Sequence, residues 1–140
     1  MGIARDEVEH LATVTRLLAR RGGRLSRHHR NPYASALRQL VRRGEGPLEL
    51  IDRLMVSALI ELRSCERFEV LSAQGTDTEL SDLYRGLSAS ERGHYRVFVG
   101  LARNHGQADV VEVRWDEMLD AEARIMANQK PGCGIHSGVD

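Results

Sequence analysis

Apolar residues recur every three or four positions along most of the chain, which is the spacing of amphipathic helices. The first such segment runs from about Ile3 to Arg21 and stops at Gly22-Gly23, a pair typical of a helix end. Three further helices are predicted, from Leu48 to Gln74, from Thr76 or Asp77 to Asn104, and from Ala108 to Asn128. The pattern therefore predicts an all-α protein.

The segments between and after these helices are polar. Residues from about 22 to 46 are expected to form a crossover, within which Tyr33 to Arg43 could be a short helix. Residues from about 129 to 140 are rich in glycine and are expected to be a flexible tail. A length of 140 residues is typical of one domain, so we expect residues 1–140 to form a single helical domain.

Three of the predicted apolar faces are interrupted by acidic and histidine residues. On the helix from Leu48, for example, the face contains Ile51, Ala58, Cys65 and Phe68 but also a glutamate. The five polar members of these faces are Glu7 and His10 on the first helix, Glu61 on the second, and Glu91 and His94 on the third.

A buried carboxylate without a partner costs several kcal/mol, so three of them in one small domain need a shared partner. A pair of divalent metal ions could serve, because a histidine three residues after a glutamate lies on the same helix face. About 0.5 Glu-x-x-His matches are expected by chance, so the evidence is the position of the two motifs rather than their number. A core network of Glu and His hydrogen bonds remains the alternative.

Glu122 lies on the apolar line of the last helix and could be a further metal ligand. Its neighbours Asp116, Glu117 and Asp120 are acidic, so we expect Glu122 to be solvated instead.

One segment of the chain is strongly basic, although the chain as a whole is neutral. The formal net charge is zero, and 19 of the 20 basic residues are arginines. No acidic residue lies between Glu9 and Glu45. A basic segment of this kind is typical of RNA binding, and Tyr33 could stack on a base. The predicted RNA-binding residues are Arg20, Arg21, Arg24, Arg27, Arg30, Tyr33, Arg38, Arg42 and Arg43. The alternative is that these arginines pair with the acidic last helix.

Cys65 and Cys133 form no C-x-x-C motif, and no run of apolar residues is long enough to span a membrane. We therefore expect a cytoplasmic protein with no membrane partner.

Several stretches resemble one family. They are ARDEVEH at 4–10, SALIELRSCERF at 57–68, LSDLYRGLSASERGH at 80–94 and HSG at 136–138. Together they resemble MiaE, the tRNA hydroxylases that act on 2-methylthio-isopentenyladenosine beside the anticodon.

The resemblance implies a ferritin-like antiparallel helical bundle and a non-haem di-iron monooxygenase that hydroxylates the isopentenyl group. It implies two iron ions, O2 as co-substrate, tRNA as partner and an electron-donating reductase or ferredoxin. Glu7 and His10 would serve one iron, Glu91 and His94 the other, and Glu61 would bind or bridge.

The family's first metal-bearing helix has no counterpart here, so the bundle is expected to be N-terminally truncated. A homodimer could cover the apolar surface that this exposes. The alternative function is a truncated, catalytically inactive paralogue that binds metal or RNA.

Overall fold

The computed structural model describes residues 2–26, 28, 30–132 and 134–138. This part of the chain contains five helices, α1 Ile3–Arg20, α2 Pro32–Arg38, α3 Pro47–Gln74, α4 Thr78–Asn104 and α5 Ala108–Ala127. The prediction of an all-α fold is confirmed, and the four long helices begin and end within two residues of their predicted limits. None of the described helices combines the length and apolarity needed to cross a membrane.

The short helix α2 ends five residues earlier than predicted. The backbone N–H of Arg42 donates to the Asp52 carboxylate at 2.9 Å, so it cannot continue the helical ladder. The amides of Gln39 and Leu40 bond three residues back, to Ala36 and Leu37, which tightens the last turn.

The chain divides into two compact units, residues 1–30 and residues 31–140. The first unit contains α1. Gly23 N–H bonds to the Leu18 carbonyl at 2.9 Å and Gly22 N–H to the Ala19 carbonyl at 3.0 Å. Gly22 has a φ of +75°, so this is a Schellman ending, and glycine is needed there because a side chain would be strained.

In the second unit α3 and α4 pack against each other along much of their length. Only residues 75–77 connect them, so the two helices are antiparallel neighbours. The Asp77 side chain accepts a hydrogen bond from Leu80 N–H at 3.0 Å and caps the start of α4. Helix α5 contacts α2, α3 and α4.

The core of the second unit joins α2, α3 and α5. Tyr33 and Leu37 from α2 pack with Met55 and Leu59 from α3 and Met118 from α5, all at most 1% exposed. This core fixes α3, the helix that carries Glu61.

Candidate metal centre

Three of the five predicted metal ligands come together within the second unit. Glu61 lies midway along α3, and Glu91 and His94 lie one turn apart midway along α4. One ligand atom from each residue lies within 4.8 Å of the others. The antiparallel pairing of α3 and α4 therefore places two carboxylates and an imidazole around a common point.

The two candidate ligands on α4 are among the most buried polar residues in the described part of the chain. Glu91 is 6% exposed and His94 is 4% exposed, while Glu61 is half-buried. His94 Nδ1 lies 3.7 Å from Glu91 Oε2, as the three-residue spacing on one helix face requires.

The chemistry of these donors fits a divalent transition metal. Two carboxylates at this separation repel each other, and burial strengthens that repulsion. A bound cation offsets it, and carboxylate oxygen with imidazole nitrogen is a donor set that Fe²⁺ accepts. The three side chains therefore fit an iron site, and a glutamate among them could bridge two ions.

Glu7 and His10 repeat the same motif on α1, in the first unit. The distance from His10 Nδ1 to Glu7 Oε1 is 3.7 Å, matching the distance in the Glu91 and His94 pair. The Glu7 side chain is 49% exposed and that of His10 is 22% exposed. The two residues thus present an oxygen and a nitrogen on one helix face.

Glu122 is buried, so the expectation that it is solvated is wrong. It is 2% exposed and accepts two hydrogen bonds from the Arg63 guanidinium, at 3.0 and 2.7 Å. The Tyr33 hydroxyl donates a third at 2.6 Å. Because Glu122 has a cationic partner, its charge is compensated without a metal ion.

Tyr33 does not have the position predicted for stacking on an RNA base. Its exposure is 0%, because its ring lies in the core and stacks on His136 with centroids 4.8 Å apart. Burial and the hydrogen bond to Glu122 raise the pKa of Tyr33 well above its usual range. A completely buried ring has no free face for a base.

His136 lies within the segment that was expected to be a flexible tail, yet it is 7% exposed. Asn31 Nδ2 lies 3.1 Å from its Nδ1, and Ser64 Oγ lies 3.1 Å from its Nε2. Burial, together with the positive charges of Arg67 and Arg63, lowers the pKa of His136. Sequence reasoning missed this contact because the partners lie 105 and 72 residues away.

The predicted RNA-binding arginines differ in how available they are. Arg42 is occupied, because its guanidinium donates to Asp52 at 2.9 and 2.7 Å. Arg27 lies outside the described residues. The remaining predicted arginines are exposed, namely Arg20, Arg21, Arg24 and Arg30 in the first unit and Arg38 and Arg43 in the second.

A cavity of about 660 Å³ lies beside α3 and α4 in the second unit. Its lining includes Phe68 and Tyr84, whose rings stack with centroids 5.7 Å apart, and Met126 from α5. Phe68 follows Glu61 by two helical turns and Tyr84 precedes Glu91 by two turns, so each lies roughly 10 Å along its helix from a candidate metal ligand. The volume is within the range of small-ligand pockets.

Comparisons with known proteins agree with this geometry. The family model described as tRNA-(MS[2]IO[6]A)-hydroxylase (MiaE) matches residues 1–137. A Pseudomonas putida protein named tRNA 2-(methylsulfanyl)-N(6)-isopentenyladenosine(37) hydroxylase is 42% identical over 98% of this chain and 66% of its own length. A Salmonella typhimurium protein of the same name is 33% identical over 98% of this chain and 50% of its own length. The chain thus spans about two thirds and one half of the curated relatives that it matches.

A solved structure has the same fold. It is described as protein 43 with aldehyde deformylating oxygenase activity from Synechococcus, and it superposes with a TM-score of 0.86 at 28% identity. The match covers 96% of this chain and 68% of that one. The predicted ferritin-like helical bundle is therefore confirmed.

Proposed function

Because the chain belongs to the MiaE family of tRNA hydroxylases, we propose that it hydroxylates the isopentenyl group of 2-methylthio-isopentenyladenosine in tRNA. The observation that carries this proposal is the convergence of Glu61, Glu91 and His94 within 4.8 Å. A carboxylate and histidine cluster in a ferritin-like bundle is the usual setting of a di-iron centre.

The proposed ligand set has five residues. Glu91 and His94 would hold one iron, Glu7 and His10 would hold the other, and Glu61 would bind or bridge. Support for the α1 pair is its sequence motif and its matching 3.7 Å separation. When bound, the iron pair would supply the activation of O2, from which one oxygen atom enters a C–H bond while the other takes up two electrons and two protons and leaves as water.

The protein's own residues would bind and orient the substrate. The cavity beside Phe68 and Tyr84 offers aromatic and aliphatic walls together with the charged side chains of Arg63, Glu66 and Arg67, and its size fits a prenylated adenine. The exposed arginines of residues 20–43 would contact the phosphates of the tRNA.

Two further partners belong to this proposal. The reaction consumes two electrons, so a reductase or a ferredoxin would deliver them.

A homodimer is supported by exposed apolar residues on α1, where Val8 is 66% exposed and Leu11 is 59% exposed. Light scattering of the purified chain tests the dimer, and a mass equal to one chain would contradict it.

The decisive experiment is turnover of prenylated tRNA. The chain is loaded with Fe²⁺, supplied with reductant and O2, and incubated with substrate tRNA, whose nucleosides are then analysed by mass spectrometry. We expect the prenyl group to gain one oxygen atom. Glu91→Gln should abolish the product, whereas Glu112→Gln, which changes an exposed glutamate of α5, should not. Absence of product from wild-type protein with two irons per chain would contradict the proposed function.

A further inference from the structure

A small cavity of about 210 Å³ lies in the second unit, between the segment after α2 and the first half of α3. Cationic and apolar side chains line it together, and those that matter here are Arg38, Arg43, Arg53, Val41, Val56 and Ile60. Three guanidinium groups around one cavity would repel one another unless an anion shared them.

The guanidiniums are only partly compensated by the protein. Among the described residues, neither Arg38 nor Arg43 forms an ion pair with a carboxylate. Arg53 is held by Glu49, whose Oε1 accepts from its Nε at 2.8 Å and its Nη2 at 2.6 Å. One carboxylate therefore faces three cations, which leaves two positive charges at the cavity.

Glu49 also fixes the geometry of this site. Its second oxygen accepts a hydrogen bond from the Gly44 backbone N–H at 2.6 Å. The same carboxylate thus ties α3 to the segment that carries Arg43, and it orients Arg53. Orienting a guanidinium before binding lowers the entropy that a ligand must offset.

The neighbouring Arg42, in contrast, has a structural role. Its guanidinium is committed to Asp52, which is 0% exposed. Among the described residues, Arg38 and Arg43 have no carboxylate at ion-pair distance, although Glu49 attracts Arg43 at longer range. The positive charge around the cavity therefore exceeds the negative charge of its one carboxylate.

We infer that this cavity binds one phosphodiester group of RNA. Guanidinium groups bind phosphate oxygens in pairs of parallel hydrogen bonds. A volume of 210 Å³ is below the usual range for a whole small-molecule ligand and is large enough for one phosphate group. Val56 and Ile60 provide apolar walls against which the flanking sugar can pack.

This inference rests on the proposed function, since it takes RNA as the ligand, and it adds a new contact to it. Arg53 belongs to α3 and lies outside the arginine-rich segment, so the site extends the RNA surface onto the helix that carries Glu61. A phosphate bound there would fix the position of the tRNA backbone relative to α3, while base contacts would be made elsewhere.

The test compares tRNA binding by two triple variants over a range of salt concentrations. Arg38→Gln, Arg43→Gln and Arg53→Gln together remove the cavity charges. Arg85→Gln, Arg96→Gln and Arg103→Gln remove the same charge from exposed positions of α4. We expect the cavity variant to bind tRNA about tenfold more weakly at ~0.1 M salt. The slope of log affinity against log salt concentration, called the salt slope below, should become shallower by about 0.7–0.9, the value for one phosphate contact. The α4 variant should do neither.

Each outcome of this comparison either supports or overturns the phosphate site. Equal losses in both variants would show that overall charge matters and the cavity does not, and unchanged affinity in the cavity variant would overturn the inference directly. A site for a free anion would instead show inorganic phosphate perturbing the NMR signals of these arginines while the tRNA salt slope stays unchanged in the cavity variant.

Product formation at saturating tRNA is measured separately. If wild-type protein forms product but the cavity variant binds tRNA normally, the phosphate site is wrong and the proposed function stands. If wild-type protein forms no product but only the cavity variant loses tRNA binding, the phosphate site stands and the proposed function is wrong.

Discussion

The Glu122 carboxylate is stable in the core because Arg63 and Tyr33 reach it from distant parts of the chain. Replacing it with glutamine removes the buried negative charge and leaves the Arg63 guanidinium, 22% exposed, with Glu66 as its remaining carboxylate partner. We expect Glu122→Gln to lower the free energy of unfolding by about 2–3 kcal/mol, less than for a buried pair that loses its whole counter-charge, because Glu66 remains. Urea denaturation monitored by circular dichroism measures this.

Asp82→Asn is the matched control for this variant. Asp82 and Arg85 form an ion pair one turn apart on α4, with side chains 73% and 67% exposed. Solvent weakens such a pair, so the control should change stability by less than about 0.5 kcal/mol. Equal effects of the two substitutions would mean that the Glu122 pair contributes no more than a surface pair.

His136 makes part of the stability depend on pH. Burial lowers its pKa in the folded protein, so the unfolded chain binds a proton at a higher pH than the folded one. Stability is then lost as the pH falls below about 6.5, by no more than about 1.4 kcal/mol per pH unit for one proton. We expect His136→Gln to flatten the dependence of unfolding free energy on pH between about 7 and 5.

Asn128→Gln serves as the comparison, because Asn128 is exposed at the end of α5 and carries no titratable group. It should leave the pH dependence of the wild-type protein unchanged. The explanation fails if the His136 variant keeps the full slope.

At the scale of helices, a single carboxylate connects α3, α5 and the segment after α2. Asp52 is 0% exposed and accepts hydrogen bonds from Arg42 and from Arg114 of α5, the latter at 3.0 Å to each oxygen. Arg114 also donates to the Leu40 carbonyl at 2.8 Å. Although burial alone would raise it, these hydrogen bonds hold the pKa of Asp52 below its ordinary value.

We expect Asp52→Asn to lower the free energy of unfolding by about 3 kcal/mol near neutral pH, since Arg42 and Arg114 lose the buried anion that they share and Arg114 keeps only the exposed Glu117. The folded pKa lies below the unfolded value of about 3.9, so the contribution of the charge disappears as the pH falls through that folded pKa. The stability difference from wild type should therefore shrink below about pH 4. Asp116→Asn, an exposed change on α5, should show no such difference. A difference that stays constant down to pH 2 would contradict this role.

Features of single helices could be predicted from the sequence, whereas contacts between distant residues could not. Helix limits are set by local signals, such as the glycines after Arg21 and the capping side chain of Asp77, so they were predictable. The positions of Glu61, Glu91 and His94 on apolar faces followed from helical periodicity. The burial of Glu122 did not, because its cationic partner lies 59 residues away and the acidic neighbours gave the opposite signal.

For the whole molecule, the proposed metal centre links helices that are otherwise joined by packing. Glu61 belongs to α3 and Glu91 and His94 belong to α4, so an ion held by all three binds only the folded state. A ligand at about 100 times its dissociation constant then stabilises by about 2.7 kcal/mol. For a chain of this size we expect the unfolding temperature to rise by roughly 8 °C.

Calorimetry under anaerobic conditions, with and without Fe²⁺, measures this shift without relying on turnover. Glu91→Gln should remove most of the shift and lower the iron content per chain, because the ion loses a charged ligand and His94 alone remains on α4. Glu112→Gln should keep both, since its carboxylate is exposed and pairs with Arg103 instead. If Fe²⁺ raises the unfolding temperature of wild type and Glu91→Gln equally, the ion binds elsewhere and the ligand assignment is wrong.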